Sequence, residues 1–216
     1  MKKEELFSVL CPNKEYTEHD LRFNELYYLV QTSGMPQEQI GKKLIPENCD
    51  LLAFQKLASI QRNIKNFVDS GKNVYLHSTN CGNGKTTWSV KLLIQYFGEI
   101  WAGNCYNERG YFIHVPTFLQ RIKRQISSPS ADFEVLLKKV CDVDIIVWDD
   151  IAATKLSDYD YNNLLMYIDQ RIGKTNIYTG NIHPANLSAY VGDRLKSRIL
   201  GNAEVIELTG SDRRLQ

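Results

Sequence analysis

The 216-residue sequence has no long apolar run, no C-x-x-C pair, no internal repeat and no low-complexity tract, and it carries almost no net charge. Without some twenty consecutive apolar residues, no segment reads as a membrane span. The N-terminal MKKEELFSVL is too polar, and its apolar part too short, for a secretory signal, so a cytoplasmic protein with no membrane partner is expected. Five scattered cysteines, Cys11, Cys49, Cys81, Cys105 and Cys141, fit reduced structural thiols better than a zinc site or disulfides. Lys and Arg number 26 against 25 Asp and Glu, giving a formal net charge of +1. Any nucleic-acid binding must then be local and not a property of the whole surface.

What is present changes in texture near residue 50. Residues 1–48 are polar and punctuated by Pro12, Gly34, Pro36, Gly41 and Pro46, with one helical apolar spacing in DLRFNELYYLVQ (20–31). They are expected to form a short, mainly helical appendage, with the main domain over 49–216. From Leu51 the spacing predicts one amphipathic helix up to Gly71. Strands NVYLHS, YFIHVP, DIIVWDD, NIYTGN and EVIELTG then alternate with helical segments. Five strands separated by helices imply an α/β fold with a five-stranded parallel sheet between helices, because each crossover must return over the sheet.

The strand NVYLHS runs into TNCGNGKTT and an apolar-periodic helix. That context, with Lys and Thr in order after the glycines, predicts a P-loop. Consecutive backbone N–H groups of Asn80, Cys81, Gly82, Asn83 and Gly84 would curl around phosphates, with Thr86 and Thr87 opening the helix whose positive end faces them. Lys85 would reach the β and γ phosphates of ATP, and the Thr86 hydroxyl would coordinate Mg²⁺. Thr79 stands where the usual motif has its first glycine, a backbone demand that the entry position can meet without one.

DIIVWDD reads as a buried strand presenting two acids at its C-terminal tip, where open parallel sheets bind ligands. Asp149 would hold Mg²⁺ and Asp150 would polarise the attacking water. Because YFIHVP lies between the two motif strands in sequence, it is expected to lie between them in the sheet as well. Asn181 ends NIYTGN with an amide able to hold water near the γ-phosphate. Arg194 and Arg198 share a helical face, either a solvated basic stripe or the place for an arginine finger to a neighbour's γ-phosphate. Arg213 or Arg214 would reach phosphate in cis. Arg121, Lys123, Arg124, Lys138 and Lys139 form the candidate surface for single-stranded DNA, with a solvated helix face the favoured reading.

The order GNGKTT, IIVWDDI, YTGN, GDRLKSRI and GSDRR resembles the AAA+ replicative-helicase loaders of the DnaC/DnaI type over about residues 50–216. The run VWDDIAATKLSDYDYNNLLMYIDQRI is especially similar to loaders encoded by phages of Gram-positive bacteria. The resemblance implies a Walker A motif from Gly82 to Thr87, Walker B acids Asp149 and Asp150, a sensor-1 Asn181, an arginine finger at Arg198 and a sensor-2 Arg214. It further implies an ATPase, weak without partners, that assembles with nucleotide and places a replicative helicase on single-stranded DNA in a bacterial cytoplasm. Two departures from the family are Thr79 and a short N-terminal segment without zinc-type cysteines. An ATPase subunit of a transposition system, IstB-like, and an ATP-gated adaptor with negligible turnover share the same motifs.

Overall fold

The computed structural model of the chain describes residues 17–100 and 109–213. Helix α1 (Glu18–Thr32) starts on a capping box, in which the Thr17 hydroxyl accepts from Asp20 N and the Asp20 carboxylate accepts from Thr17 N. The long helix expected from Leu51 to Gly71 divides into α2 (Leu51–Arg62) and α3 (Ile64–Asp69). Asn63 causes the break. Its side-chain amide donates to the Ser59 carbonyl at 3.1 Å, competing with the helical ladder, and its ψ of 28° leaves the helical range.

Strand β1 (Asn73–His77) leads into α4 (Lys85–Glu99), and β2 (Gly110–His114) runs directly into α5 (Val115–Gln125). The last two residues of the expected strand YFIHVP therefore belong to α5, where Pro116 sits in the first turn and loses no hydrogen bond. Next come α6 (Ala131–Asp142), β3 (Ile145–Asp149), α7 (Asp158–Asp169) and β4 (Thr175–Gly180). The short turn α8 (Ser188–Val191), α9 (Asp193–Leu200) and β5 (Ala203–Glu207) complete the set.

The five strands form one parallel sheet in the order β2-β3-β4-β1-β5. This corrects the expected placement of YFIHVP: β2 lies at the sheet edge, and the strand between β1 and β3 is β4, which carries Thr179 and leads to Asn181. The connections account for the order. The chain moves from β1 across to β2, then back through β3 and β4 and past β1 to β5. With right-handed crossovers, movement in opposite directions covers opposite faces.

The two buried clusters separate in this way. Val74, Leu76, Ile145 and Val147 face α1–α4, while Tyr75, Ile146, Trp148 and Tyr178 face α5, α6, α7 and α9. Successive strand residues thus enter different cores, as a sheet covered on both faces requires. Leu29, Val30 and Met35, from the expected appendage, share the first of these cores with α4.

Beneath the strands, Arg171 is fully buried with no carboxylate among its hydrogen-bond partners. It donates to Asn176 Oδ1 and to the carbonyls of Val140, Val143, Asp144 and Thr175. Burial lowers its pKa to about 10. Trp148 Nε1 shares the Asn176 oxygen, and Asn176 donates in turn to Asn73, so one polar network ties β1, β3 and β4 together at the end remote from the P-loop.

Candidate functional site

A cleft of about 290 Å³ opens over the C-terminal ends of β1, β3 and β4. That is close to the lower end of ligand-site volumes, about 300–1,000 Å³. One wall is the P-loop, in which Gly82 and Gly84 have φ of 71° and 103°. The left-handed φ at Gly82 favours glycine, and a Cβ there would also displace the Asp212 carboxylate, 1.7 Å away. Thr79 is exposed and is not among the non-glycine residues with positive φ, which within the described residues are Asp150, Ala152 and Asn202. The entry position therefore works without glycine.

Asn83 fixes the loop from within. Its side-chain amide donates to Ser78 Oγ and, at 2.8 Å, to the Leu208 carbonyl, and its Oδ1 accepts from Lys85 Nζ at 3.2 Å. Lys85 Nζ also donates to the Asn80 carbonyl at 3.1 Å, which holds the ammonium on the loop. Cys81, Thr86 and Thr87 line the same cleft. Cys49, Cys81 and Cys141 are free thiols, and Cys11 and Cys105 fall outside the described residues.

The acids at the tip of β3 come to this loop. Asp149 Oδ1 accepts from Thr86 Oγ1 at 3.0 Å and from Thr179 Oγ1 at 2.7 Å. Burial pushes the Asp149 carboxyl above the ordinary aspartate value, the two hydroxyls pull it back part of the way, and neighbouring Asp150 adds to the rise. Asp150 takes a left-handed φ of 57° and turns into the cleft. Its Oδ2 lies 3.6 Å from His114 Nε2, and His114 Nδ1 is 2.8 Å from Thr117 Oγ1. Asn181 also lines the cleft, and its Oδ1 is buried with no hydrogen-bond partner among the described residues.

Nucleotide and Mg²⁺ fit this donor set. A hard cation takes oxygen ligands, and Mg²⁺ typically uses one or two carboxylates together with phosphate and water. Thr86 and Asp149, in contact beside the P-loop, offer a hydroxyl and a carboxylate of that kind.

Sequence reasoning missed one wall of the cleft. Gln39, Lys42, Lys43 and Leu44 line the cleft, and Gln39 Oε1 accepts from Thr87 Oγ1 at 2.7 Å. Residues 45–50 clasp the C-terminal segment. The fully buried Asp50 accepts from Thr209 N at 2.7 Å and Gly210 N at 3.1 Å, Glu47 Oε1 accepts from Ser211 N at 3.0 Å, and Arg213 Nη1 donates to the Ile45 carbonyl. Arg213 lines the cleft and lies 3.7 Å from Asp50, and its Nε and Nη2 are buried without hydrogen bonds among the described residues. Arg214 lies outside the described residues.

Arg198 is not part of this cleft. Its Nε donates to Asp169 Oδ1 at 2.6 Å, and Arg194 takes the other oxygen of the same carboxylate at 2.6 Å. Those hydrogen bonds and charges, Arg198 first, hold the Asp169 carboxyl below the usual aspartate value. On the candidate DNA surface Arg121 stacks over the Phe133 ring and Lys123 donates to Asp160 at 2.8 Å, while Arg124 and Lys138 are exposed. No described helix is long and apolar enough to cross a membrane.

No family model and no curated protein matches the sequence. Solved structures do. A DnaC helicase loader superposes with a TM-score of 0.65 at 20% identity, over 83% of this chain and 98% of that one. DnaI follows at 0.64 and 17%, covering 81% and 95%. A putative primosome component from Streptococcus pyogenes serotype M3 gives 0.61 and 18%, covering 87% and 98%. DnaA of Aquifex aeolicus, bound to AMPPCP, gives 0.61 and 16%, over 81% of this chain and 51% of that one. The five-stranded parallel sheet, its strand order and these likenesses together give the chain the fold shared by DnaC, DnaI and DnaA.

Proposed function

We propose that the chain is an ATP-binding and ATP-hydrolysing loader that grips a replicative helicase and assists its placement on single-stranded DNA. The observation that carries this reading is the meeting, over one P-loop, of Lys85, the Thr86–Asp149 contact, Asp150 and the unpartnered Asn181 oxygen, in a chain shaped like two helicase loaders. The P-loop amides and Lys85 bind the triphosphate, and Thr86 and Asp149 hold Mg²⁺. When bound, the cation neutralises charge on the β and γ oxygens.

Asn181 orients a water toward the γ-phosphate, and Asp150 takes its proton as attack proceeds. Arg213, which lines the cleft, meets the phosphates in cis. Arg198 serves a neighbouring subunit in a nucleotide-dependent oligomer, and the segment 1–48 contributes to helicase contact. The exposed Arg124 and Lys138 supply a weak, local hold on single-stranded DNA. Phage origin follows from the sequence resemblance alone.

Co-purification with candidate replicative helicases, host and phage, in the presence of ATP tests the assignment. A stable complex with one of them is expected. Failure to bind any, by a protein that still binds ATP, would remove the loader reading and leave the ATPase.

A further inference from the structure

At the tip of β3, Asp149 is paired only toward the edge strand, in register with His114 of β2, and Asp150 lies beyond the strand. The ladder between β3 and β4 runs from Ile145–Thr175 to Trp148–Tyr178 and ends there. Beyond it, residues 149–151 are pinned to β4 by Thr179 alone among the hydrogen bonds seen between them. The Thr179 hydroxyl donates to Asp149 Oδ1 at 2.7 Å and accepts from Asp150 N at 3.0 Å, and the Thr179 carbonyl accepts from Ile151 N at 2.9 Å. A hydroxyl has one donor and two acceptor sites, so a single oxygen can serve both acids at once.

The need for such an anchor is local. Asp150 sits at φ 57° and Ala152 at φ 66°, a left-handed turn that L-residues keep only when their surroundings hold it. Thr179 is fully buried, and its β-branched side chain is stiff about χ1. It also sits in register with Leu76 of β1, the strand that leads into the P-loop. Its hydroxyl therefore relates the acids to the phosphate cradle through the sheet itself.

We propose that Thr179 is the positioning residue of the hydrolytic centre, setting the metal-binding carboxylate of Asp149 and the water-polarising carboxylate of Asp150 as one unit. This rests on the ATPase reading above. Thr179 touches neither phosphate nor water. It acts through the two acids, as outer-shell partners do in metal sites, where their loss costs about 10–100-fold in metal affinity or activity.

The test compares wild type, Thr179→Val and Thr179→Ser in the intact chain, with Thr179→Ala against Thr179→Ser as a second pair that differs only in the hydroxyl. Three quantities are read: affinity for a non-hydrolysable ATP analogue in EDTA, the Mg²⁺ concentration that gives half the analogue-induced rise in melting temperature, and turnover. For Val and Ala the account expects EDTA affinity within about twofold of wild type, a Mg²⁺ midpoint raised about tenfold or more, and turnover down about 10–100-fold. Ser should restore both within a few-fold. Val or Ala variants with an unchanged Mg²⁺ midpoint and turnover would overturn the proposal, as would a loss of EDTA affinity equal to the loss with Mg²⁺, or a Ser variant as impaired as Ala. A wild-type protein with no Mg²⁺-dependent nucleotide binding is a separate result, which would remove the ATPase reading and the proposal with it.

Discussion

Lys85 shows how a single side chain can matter to function and little to folding. It is 7% exposed, yet its ammonium is held by loop oxygens and not by the core. Lys85→Ala should therefore fold normally and lose ATP affinity by about 100-fold or more, since a charge-assisted contact to phosphate is worth about 1.5–3 kcal/mol and the loop loses its internal tether as well. Asp150→Asn should keep that affinity and lose turnover by about 10²–10⁴-fold, the range for a positioned proton acceptor. Equilibrium titration with a fluorescent ATP analogue, followed by steady-state turnover, separates the two.

His77 gives the pH dependence. It is 3% exposed at the end of β1. Burial lowers its pKa, Glu207 opposes the shift, and His183 and Lys85 reinforce it. The native state then holds fewer protons than the unfolded chain below about pH 6.5, so stability is complete above that value and falls as pH drops toward the depressed native pKa. His77→Gln should flatten the fall in melting temperature between about pH 7 and 5. An unaltered slope would assign the dependence to other groups.

These residues differ in how far the sequence announced them. The P-loop and the paired acids carry their meaning in spacing. Thr179 does not: in the strand TNIYTG it is one of three polar residues, with Thr175 and Asn176, and its partners come from another strand.

At the scale of elements, the sheet was readable and its neighbour relations were not. All five strands appear within a few residues of their predicted limits: β1 and β3 are buried along their whole length, and β5 is marked by its buried Ile206 between exposed residues. A buried parallel strand reads the same whichever strand lies beside it, and so β2 was placed wrongly. The segment 37–50 was opaque for a different reason. It is short 3₁₀ turns and irregular chain, with no periodicity, and it acts through hydrogen bonds to residues some 160 positions away.

Its clasp on residues 208–213 centres on Asp50, so Asp50→Ala would leave two backbone amides without an acceptor and Arg213 without its counter-charge. The expected loss is about 3 kcal/mol, a fall of roughly 6–12 °C in melting temperature for a chain of this size. Nucleotide affinity should weaken too, because the clasp holds Arg213, which lines the cleft. A shift below about 1 kcal/mol in urea unfolding would mean that the clasp is not part of the stable fold.

At the scale of the molecule, the question is whether the hydrolytic site is complete in one chain. The cleft gathers the P-loop, Asp150, Asn181 and Arg213, with Asp149 bonded to Thr86 at its edge, whereas Arg198 is engaged with Asp169 elsewhere. If Arg198 serves a neighbour, Arg198→Ala should keep ATP affinity and lose partner-stimulated turnover by about 10³-fold, at the low end for arginine fingers. Its half-exposed pairing with Asp169 contributes about 1 kcal/mol or less to stability. Mixed with Lys85→Ala protein, it should regain part of that turnover, since one interface then holds both an intact cradle and an intact Arg198. Co-assembly without recovery would return Arg198 to a surface role.

The central claim is that nucleotide turnover in this fold serves helicase placement. Its most direct measurement is the rate at which a purified replicative helicase unwinds a strand annealed to closed circular single-stranded DNA, with the protein added in ATP. Wild-type protein should accelerate unwinding, and Lys85→Ala protein should not. No acceleration by wild-type protein that binds both ATP and the helicase would contradict the account.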